Sequence, residues 1–387
     1  MKKKVLIRGP LLSQSGYGNH SRQIAKWLFQ KDDIEVVTQI LPWGITPWLI
    51  DETAEDGLAG KIMRSSIGEM PSNIDVSYQV QLPNEWDPTI AKKNIGVTAA
   101  VETDICHPSW VSACNRMTSV VVPSNFTKGT IERSGECITP IKVIPESYIH
   151  EITSETHALD VDFSTSFNFL VFGMLTGQNP KSDRKNLFFT LKWLLEEFAD
   201  CPDVGIVLKT SSGRGTKIDK KITLKIVEQV VKEVRTGPYP KIHFMHGSMS
   251  NSEIASIYKH PKIKALVSLT RGEGYGLPIL EAATSDLPIV ATNWSGHLDF
   301  LRKGKFVAID YTMSQIDPTR VDNQIFIQNA RWAEPSEKDA KKRLRKLYSS
   351  YETPLGWAKE LGVRLRESLS HEKICEHLDA HFSGLDL

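Results

Sequence analysis

The stretch Ala265-Leu-Val-Ser-Leu-Thr-Arg-Gly-Glu-Gly-Tyr-Gly-Leu-Pro-Ile-Leu-Glu281 decides the fold. Its apolar start, Ala265 to Ser268, predicts a buried strand. The strand runs into a glycine-rich loop, and Pro278 sits where a helix begins, a place that tolerates proline because its missing N–H has no intrahelical partner there. The N–H groups of Gly276 and Leu277 then point out of the helix start, and such an end favours anions, phosphate above all. Glu273 lies in the loop and Glu281 about one turn into the helix, both facing the crevice at the carboxyl end of a sheet. Carboxylates are poor phosphate ligands and good acceptors for hydroxyl groups, so a sugar or ribose is their natural partner. The other reading of the glycines alone is a tight strand–helix turn with two solvated glutamates.

The same strand–loop–helix unit recurs on both sides. Before it, Phe167-Asn-Phe-Leu-Val-Phe-Gly173 is a strand ending in glycine. The polar loop Ser182-Asp-Arg-Lys-Asn186 follows, and then a helix with Leu187, Leu191, Leu194 and Leu195 on one face. Arg184 and Lys185 stand at a helix start, where the dipole favours acids; they make sense there beside a bound diphosphate, or else as a solvated basic loop. Strands are also expected at residues 204–209, 242–247 and 288–291, and helices at 222–234 and 252–258. Nearer the N-terminus, Val5-Leu-Ile leads into Ser13-Gln-Ser-Gly-Tyr-Gly-Asn19, and then Ile24, Trp27 and Leu28 recur at helical spacing. Gly16-Tyr-Gly18 matches a dinucleotide loop only partly, because Ser21 replaces the third glycine; by itself it is a tight turn. Further strands are expected near residues 34–37, 74–80, 94–98 and 120–122, with Ser124 as a helix N-cap.

Strands alternating with helices imply parallel sheets. The alternation breaks over residues 151–166, a polar segment read as a linker. From Ser336 the chain is helical and charged. The run Lys341-Lys-Arg-Leu-Arg-Lys346 is expected to be a solvated helix face, with an anionic-surface patch as the lesser reading.

Composition bounds the rest. The 387 residues suggest two domains, with 40% hydrophobic and 24% charged residues as in ordinary globular proteins. No apolar run approaches the roughly 20 residues of a membrane helix. Lys+Arg is 47 against Asp+Glu 46, so no global basic field marks a nucleic-acid binder. The 5 cysteines include no C-x-x-C pair, which argues against a disulfide framework or zinc knuckle and for a reducing, cytoplasmic compartment. The lysines after Met1 precede an apolar stretch too short for a leader. Asp160-Val-Asp162 matches a metal-binding triplet but falls in the linker, and His243 and His246 read as a packed or surface pair, so no metal site is expected.

The ordered set of motifs resembles one family. Glu273 to Glu281 has the E-x7-E spacing and the E-G-F/Y-G-L-P-x-x-E-A wording of retaining GT-B glycosyltransferases of the family 4 type. Gly16-Tyr-Gly18 resembles its N-terminal glycine loop, Val121-Val-Pro-Ser-Asn-Phe126 its V-P-S-x-F turn, Arg184-Lys185-Asn186 its R-K-N donor clamp, and Thr292-Asn-Trp-Ser-Gly296 its glycine turn. The matches keep family order from about residue 5 to about residue 300.

The resemblance implies an α/β chain of GT-B architecture, with two Rossmann-like domains whose parallel sheets face across a cleft. Residues 1–160 would form the acceptor domain, 161–356 the nucleotide-sugar donor domain, and 357–387 a helical tail crossing back to the first. The implied reaction is metal-independent, retaining transfer from a nucleotide-diphosphate sugar, by same-face attack and without a protein nucleophile. Glu273, Arg184 and Lys185 would be catalytic, the first at sugar hydroxyls and the cations at the departing diphosphate. Gly16, Gly18, Lys209, Gly274, Tyr275, Gly276, Leu277 and Glu281 would bind donor, Glu281 through the ribose.

Two departures from the family pattern shape the remaining expectations. The histidine that relatives carry after the strand at 94–98 is absent, so Glu102 or Asp104, with Tyr17, takes the acceptor side, His107 being displaced. Met174 follows Gly173 where relatives often carry arginine, so either the second phosphate contact is lacking or Lys209 supplies it. The acceptor is an unidentified hydroxyl on a glycan, lipid-linked glycan, small molecule or modified DNA base. The location expected is the cytoplasm, with peripheral membrane association left open. The alternatives are a GT-B isomerase or phosphorylase, or a non-catalytic sugar-nucleotide-binding relative.

Overall fold

A computed structural model of the chain describes residues 2–154, 159, 161–177 and 179–385. Asp160 of the Asp-x-Asp triplet lies outside them. The chain divides into two compact units, Met1–Ser147 with Leu369–Leu387, and Tyr148–Ser368. Each is built on a six-stranded parallel sheet, the Rossmann-like α/β class that the alternation of strands and helices predicts.

In the first unit, β1 (Lys3–Gly9), α1 (Gly16–Leu28), β2 (Ile34–Ile40), α2 (Leu58–Arg64), β3 (Val76–Val80), β4 (Lys93–Val97), α3 (Pro108–Cys114), β5 (Ser119–Val122), α4 (Asn125–Ser134) and β6 (Ile141–Val143) follow in order. The sheet runs β2-β1-β3-β4-β5-β6. Strands β3 and β5 are buried on both faces, and β5 accordingly reads as a β-branched run. Ser124 caps α4, as expected, by accepting from the Thr127 N–H.

The second unit holds β7 (Phe167–Phe172), α5 (Leu187–Glu197), β8 (Val204–Lys209), α6 (Lys217–Val234), β9 (Lys241–Met245), α7 (Asn251–Tyr258), β10 (Ile263–Ser268), α8 (Leu277–Thr284), β11 (Ile289–Thr292), α9 (Leu298–Leu301) and β12 (Val307–Ile309). Its sheet runs β12-β11-β10-β7-β8-β9. Chain order therefore reverses between β7 and β10. In open parallel sheets that reversal opens a crevice beyond the strand ends, where ligands bind. The loops that leave β7 and β10 are the two that carry Arg184, Lys185 and Glu273.

Three features escape the sequence pattern. After β12 the chain forms an antiparallel hairpin, β13 (Tyr311–Gln315) and β14 (Arg331–Pro335). Its short, mostly half-exposed strands lack a clean alternation. Helix α6 begins at Lys217, five residues before the expected Ile222, because Thr216 caps it through the Asp219 N–H. The basic run on α10 (Glu337–Ser349) is also tied in part to α5. Lys341 pairs with Glu196 at 2.6 Å, and Arg345 pairs with Glu197 at 2.8 Å while lying over the Phe198 ring. Lys342 and Lys346 are exposed, as a solvated face requires, while Lys341 and Arg345 tie the run to α5.

Helix α11 (Glu352–Ser368) packs on α8 within the second unit, where Gly362 leaves no room for a side chain against Asp286. Helix α12 (His371–Ser383) completes the first unit. It supplies Asp379, which accepts the Trp27 indole N–H at 2.8 Å, and Phe382, which meets the same ring edge-on at 5.8 Å. Trp27 is only 1% exposed, so α12 and the β-sheet share one core. We expect Trp27→Ala to cost ~3–5 kcal/mol of stability, as large-to-small changes of buried aromatics do. Urea unfolding followed by limited proteolysis should show residues 369–385 cleaved first; an α12 as protected as in the wild type would refute this.

Candidate active site

Glu273 stands at the centre of the second unit's crevice. Its side chain is 8% exposed, and one oxygen accepts from Lys185 Nζ at 2.7 Å while the other lies 3.3 Å from Arg184 Nη1. Arg184 also donates to the Gly272 carbonyl at 2.7 Å. Burial pushes the Glu273 carboxyl upward, but the charges of Lys185 and Arg184 outweigh it and hold the group down at about 2. Three of the residues expected from sequence are thus brought together from two different loops.

Each loop is shaped by a residue that the sequence reading did not single out. Asp183 gathers the cationic loop. One carboxylate oxygen accepts from Thr176 Oγ1 at 2.6 Å, and the other accepts from the first N–H of α5, that of Leu187, at 2.8 Å. Asn186 lies between them in the left-handed region, φ 55°, and donates to the Leu269 carbonyl. Ser295 holds the other loop, its hydroxyl accepting the Glu273 N–H at 2.9 Å, while Gly296 donates to the Glu273 carbonyl at 2.9 Å. A side chain on Gly296 would run into the Gly274 carbonyl, which explains the glycine of the Thr292–Gly296 turn. An acidic residue just ahead of a predicted helix is a capping signal, so Asp183 was findable. Ser295 was not, since its partner is 22 residues away.

Gly274, Tyr275, Gly276 and Leu277 follow Glu273 directly. Gly276 adopts φ 101°, and its carbonyl accepts from Ile279 and Leu280 to open α8. In this first turn Pro278 has no N–H and the Ile279 N–H is already bonded, so the N–H groups of Gly276 and Leu277 are the ones that can make this end an anion site. Glu281 sits in the second turn of α8, 6% exposed, and accepts from the Tyr258 hydroxyl at 3.2 Å. Burial pushes its carboxyl up to about 8, against the lowering effect of that hydrogen bond. Lys209 ends β8 beside β7 and donates to the Gly247 carbonyl at 2.5 Å, apart from the Glu273 cluster. Burial lowers its ammonium pKa.

The remaining expected residues belong to the first unit. Gly16, Tyr17 and Gly18 form the first turn of α1. A side chain on Gly18 would strike the Ser13 carbonyl, whereas one on Gly16 would meet nothing. Tyr17 shares a 2.9 Å hydrogen bond with Thr98, accepts the Ala99 N–H at 3.1 Å and stacks on Trp43 at 4.2 Å. Burial raises its phenol. The turn that follows puts Ala100 at φ 50°, a strained value for a residue with a side chain, and delivers Glu102 and Asp104 half-buried in the same loop. His107 caps α3 through the Ser109 N–H. His243 and His246 bond Thr165 and Asp219, a packed pair, and Asp162 pairs with Lys262. No group of three or more potential metal ligands occurs among the described residues.

Residues 229–319 match the family described as glycosyl transferases group 1. That segment contains the loop of Glu273, Glu281 and the Thr292–Gly296 turn, but not Arg184 and Lys185. A sucrose-phosphate synthase from Thermosynechococcus elongatus has the same fold, with a TM-score of 0.63 at 12% identity over 99% of both chains. A glycosyltransferase from Rickettsia africae gives 0.65 at 13% identity over 99% of this chain and 98% of that one. Anabaena HepE in complex with UDP-glucose gives 0.57 at 13% identity over 98% and 99%. A search of curated proteins by sequence finds no match. The fold is therefore the GT-B architecture, and segment and fold together support a glycosyltransferase.

The two glutamates give opposite pH signatures. Glu273, depressed to about 2, contributes stability that is present above its ordinary value of 4.5 and lost as pH falls toward 2. Glu281, raised to about 8, contributes stability that is full below 4.5 and lost as pH rises through 8. Glu281→Gln keeps an acceptor for Tyr258 and removes the charge. It should melt above the wild type at alkaline pH and level with it near pH 5, where Glu281 is already neutral. Thermal melts across that range check this, and a variant less stable at alkaline pH would contradict it.

Proposed function

We propose that the chain moves a sugar from a nucleotide-diphosphate sugar to an acceptor hydroxyl with retention of configuration, as a family 4 type enzyme. One observation carries the reading. A buried carboxylate and two cations from separate loops meet at the strand-order reversal, beside the open N-terminus of α8.

Breaking the anomeric C–O bond builds negative charge on the diphosphate and positive charge on the sugar. Arg184, Lys185 and the α8 N-terminus are fixed positive groups in a buried setting, where such stabilisation is strongest. A diphosphate arriving there competes with Glu273 for the two cations and frees its carboxylate to accept from sugar hydroxyls. Glu281, already paired with Tyr258, has a second oxygen for a ribose hydroxyl, and Lys209 stands on the neighbouring strand for a second phosphate contact. The anion's charge is met by side chains and backbone, so we assign the reaction no metal. The Tyr17 loop with Glu102 and Asp104 is assigned to the acceptor. Same-face attack needs no protein nucleophile, since the departing phosphate takes the acceptor's proton.

Two solved structures of this fold carry UDP-glucose or UDP-2-fluoro glucose, which makes UDP-sugars the first donors to try. Nucleotide release from UDP-, GDP- and ADP-sugars, with and without EDTA, tests the reading. Lys185→Ala should lower kcat by about 10²–10³-fold, the usual effect of removing one charge-stabilising group. Glu281→Ala should mainly weaken donor binding. Full activity in both variants, or inversion at the anomeric carbon, would overturn the assignment.

A further inference from the structure

We propose that Arg271 is a positioning residue for the Arg184–Lys185 loop, and that the β13–β14 hairpin is the frame through which it acts. Only the kinetic arm of the test rests on the sugar-transfer reading.

Arg271 lies two residues before Glu273, is 1% exposed, and spends its guanidinium away from the crevice. Nη1 donates to the carbonyls of Pro180, at 2.9 Å, and Asp183, at 2.6 Å. Nε and Nη2 form a two-pronged pair with Glu334 of β14, at 2.7 and 2.9 Å. Its plane lies between Phe189 of α5 and Trp332 of β14, at 5.7 and 5.6 Å. The backbone repeats the arrangement: the Arg271 N–H donates to the Arg184 carbonyl at 2.8 Å, and the Arg271 carbonyl accepts from Ala333 at 3.0 Å.

The chain between the two hairpin strands grips the far side of the same loop. Asn179 Nδ2 donates to Thr319 Oγ1 at 2.9 Å, and Arg320 Nη1 donates to the Thr176 carbonyl at 3.3 Å. The loop of the two cations is thus held at Thr176, Asn179, Pro180, Asp183 and Arg184. These holds come from Arg271 and the hairpin segment, while Thr270 adds a bond to the Arg184 carbonyl and the side chains of Arg184 and Asn186 reach the Gly272 and Leu269 carbonyls.

The residue type fits this task. Only a planar fork serves two carbonyls and a carboxylate at once while its faces pack on aromatic rings; a lysine keeps the charge and loses that geometry. Placement matters because two cations must stand at fixed positions when charge develops on the diphosphate, and small displacements reduce electrostatic stabilisation steeply.

Hydrogen exchange tests the frame without any donor. The amides of Ser182 and Asn186 close on Asn179 and Asp183 inside the loop. In Arg271→Lys their exchange should rise about tenfold or more, the scale of losing charge-assisted hydrogen bonds, with the β7 and β8 amides unchanged. Glu334→Gln, at a half-exposed carboxylate, should give a smaller rise at the same amides and keeps the test open if Arg271→Lys does not fold. Unchanged loop exchange overturns the inference. A rise spread evenly over β7 and β8 also overturns it, since that marks a merely structural arginine. Where the wild type releases nucleotide, Arg271→Lys should lower kcat with little change in KM, and should lower it less than about twofold further on a Lys185→Ala background. Additive losses count against positioning. A wild type inert toward every donor defeats the sugar-transfer reading, and the exchange result then decides the inference alone.

Discussion

The second unit depends on one buried carboxylate shared by two cations. Glu273 brings together the loops that leave β7 and β10, which are neighbours in the sheet but almost 90 residues apart along the chain. Burying it unpaired would be costly, and Lys185 and Arg184 resolve that cost while holding it ionised. The surrounding architecture keeps the three groups in register. Asp183 ties the cationic loop to the start of α5, Ser295 and Gly296 pin the Glu273 backbone, and Arg271 joins both loops to the hairpin.

The two glutamates of the motif occupy opposite electrostatic states although they lie two turns of chain apart. Glu273 has cations against it and stays charged. Glu281 is buried beside a tyrosine hydroxyl, and burial raises its carboxyl to about 8. This asymmetry suits different partners. The proposed roles follow that difference: a charged group at the cations and a buried carboxyl at hydroxyl groups.

Much of this was legible from residues alone. Apolar runs, glycine loops and helical spacing gave the order of strands and helices, and the ordered motifs pointed to Glu273, Glu281, Arg184 and Lys185. Most of what the residues alone did not reveal has a partner remote in sequence, whereas the local caps at Asp183 and Thr216 were within reach. Arg271 and Glu334 are 63 residues apart, Ser295 and Glu273 are 22 apart, and Trp27 and Asp379 are 352 apart. The ion pairs of the exposed basic run on α10 are of the same kind, because only the fold shows that Glu196 and Glu197 of α5 face it.

By itself the sequence determined the fold class and the chemical types at the crevice, because hydrophobic period and turn chemistry are local properties of a chain. Only the tertiary structure decided which charges meet, which carboxylate is ionised and which arginine faces away from the crevice to hold a loop. Desolvation and Coulomb interactions depend on distances through space, and sheet topology sets those distances. Strand-order reversal placed two loops side by side, and that adjacency turned an ordinary Arg-Lys pair and a loop glutamate into one site.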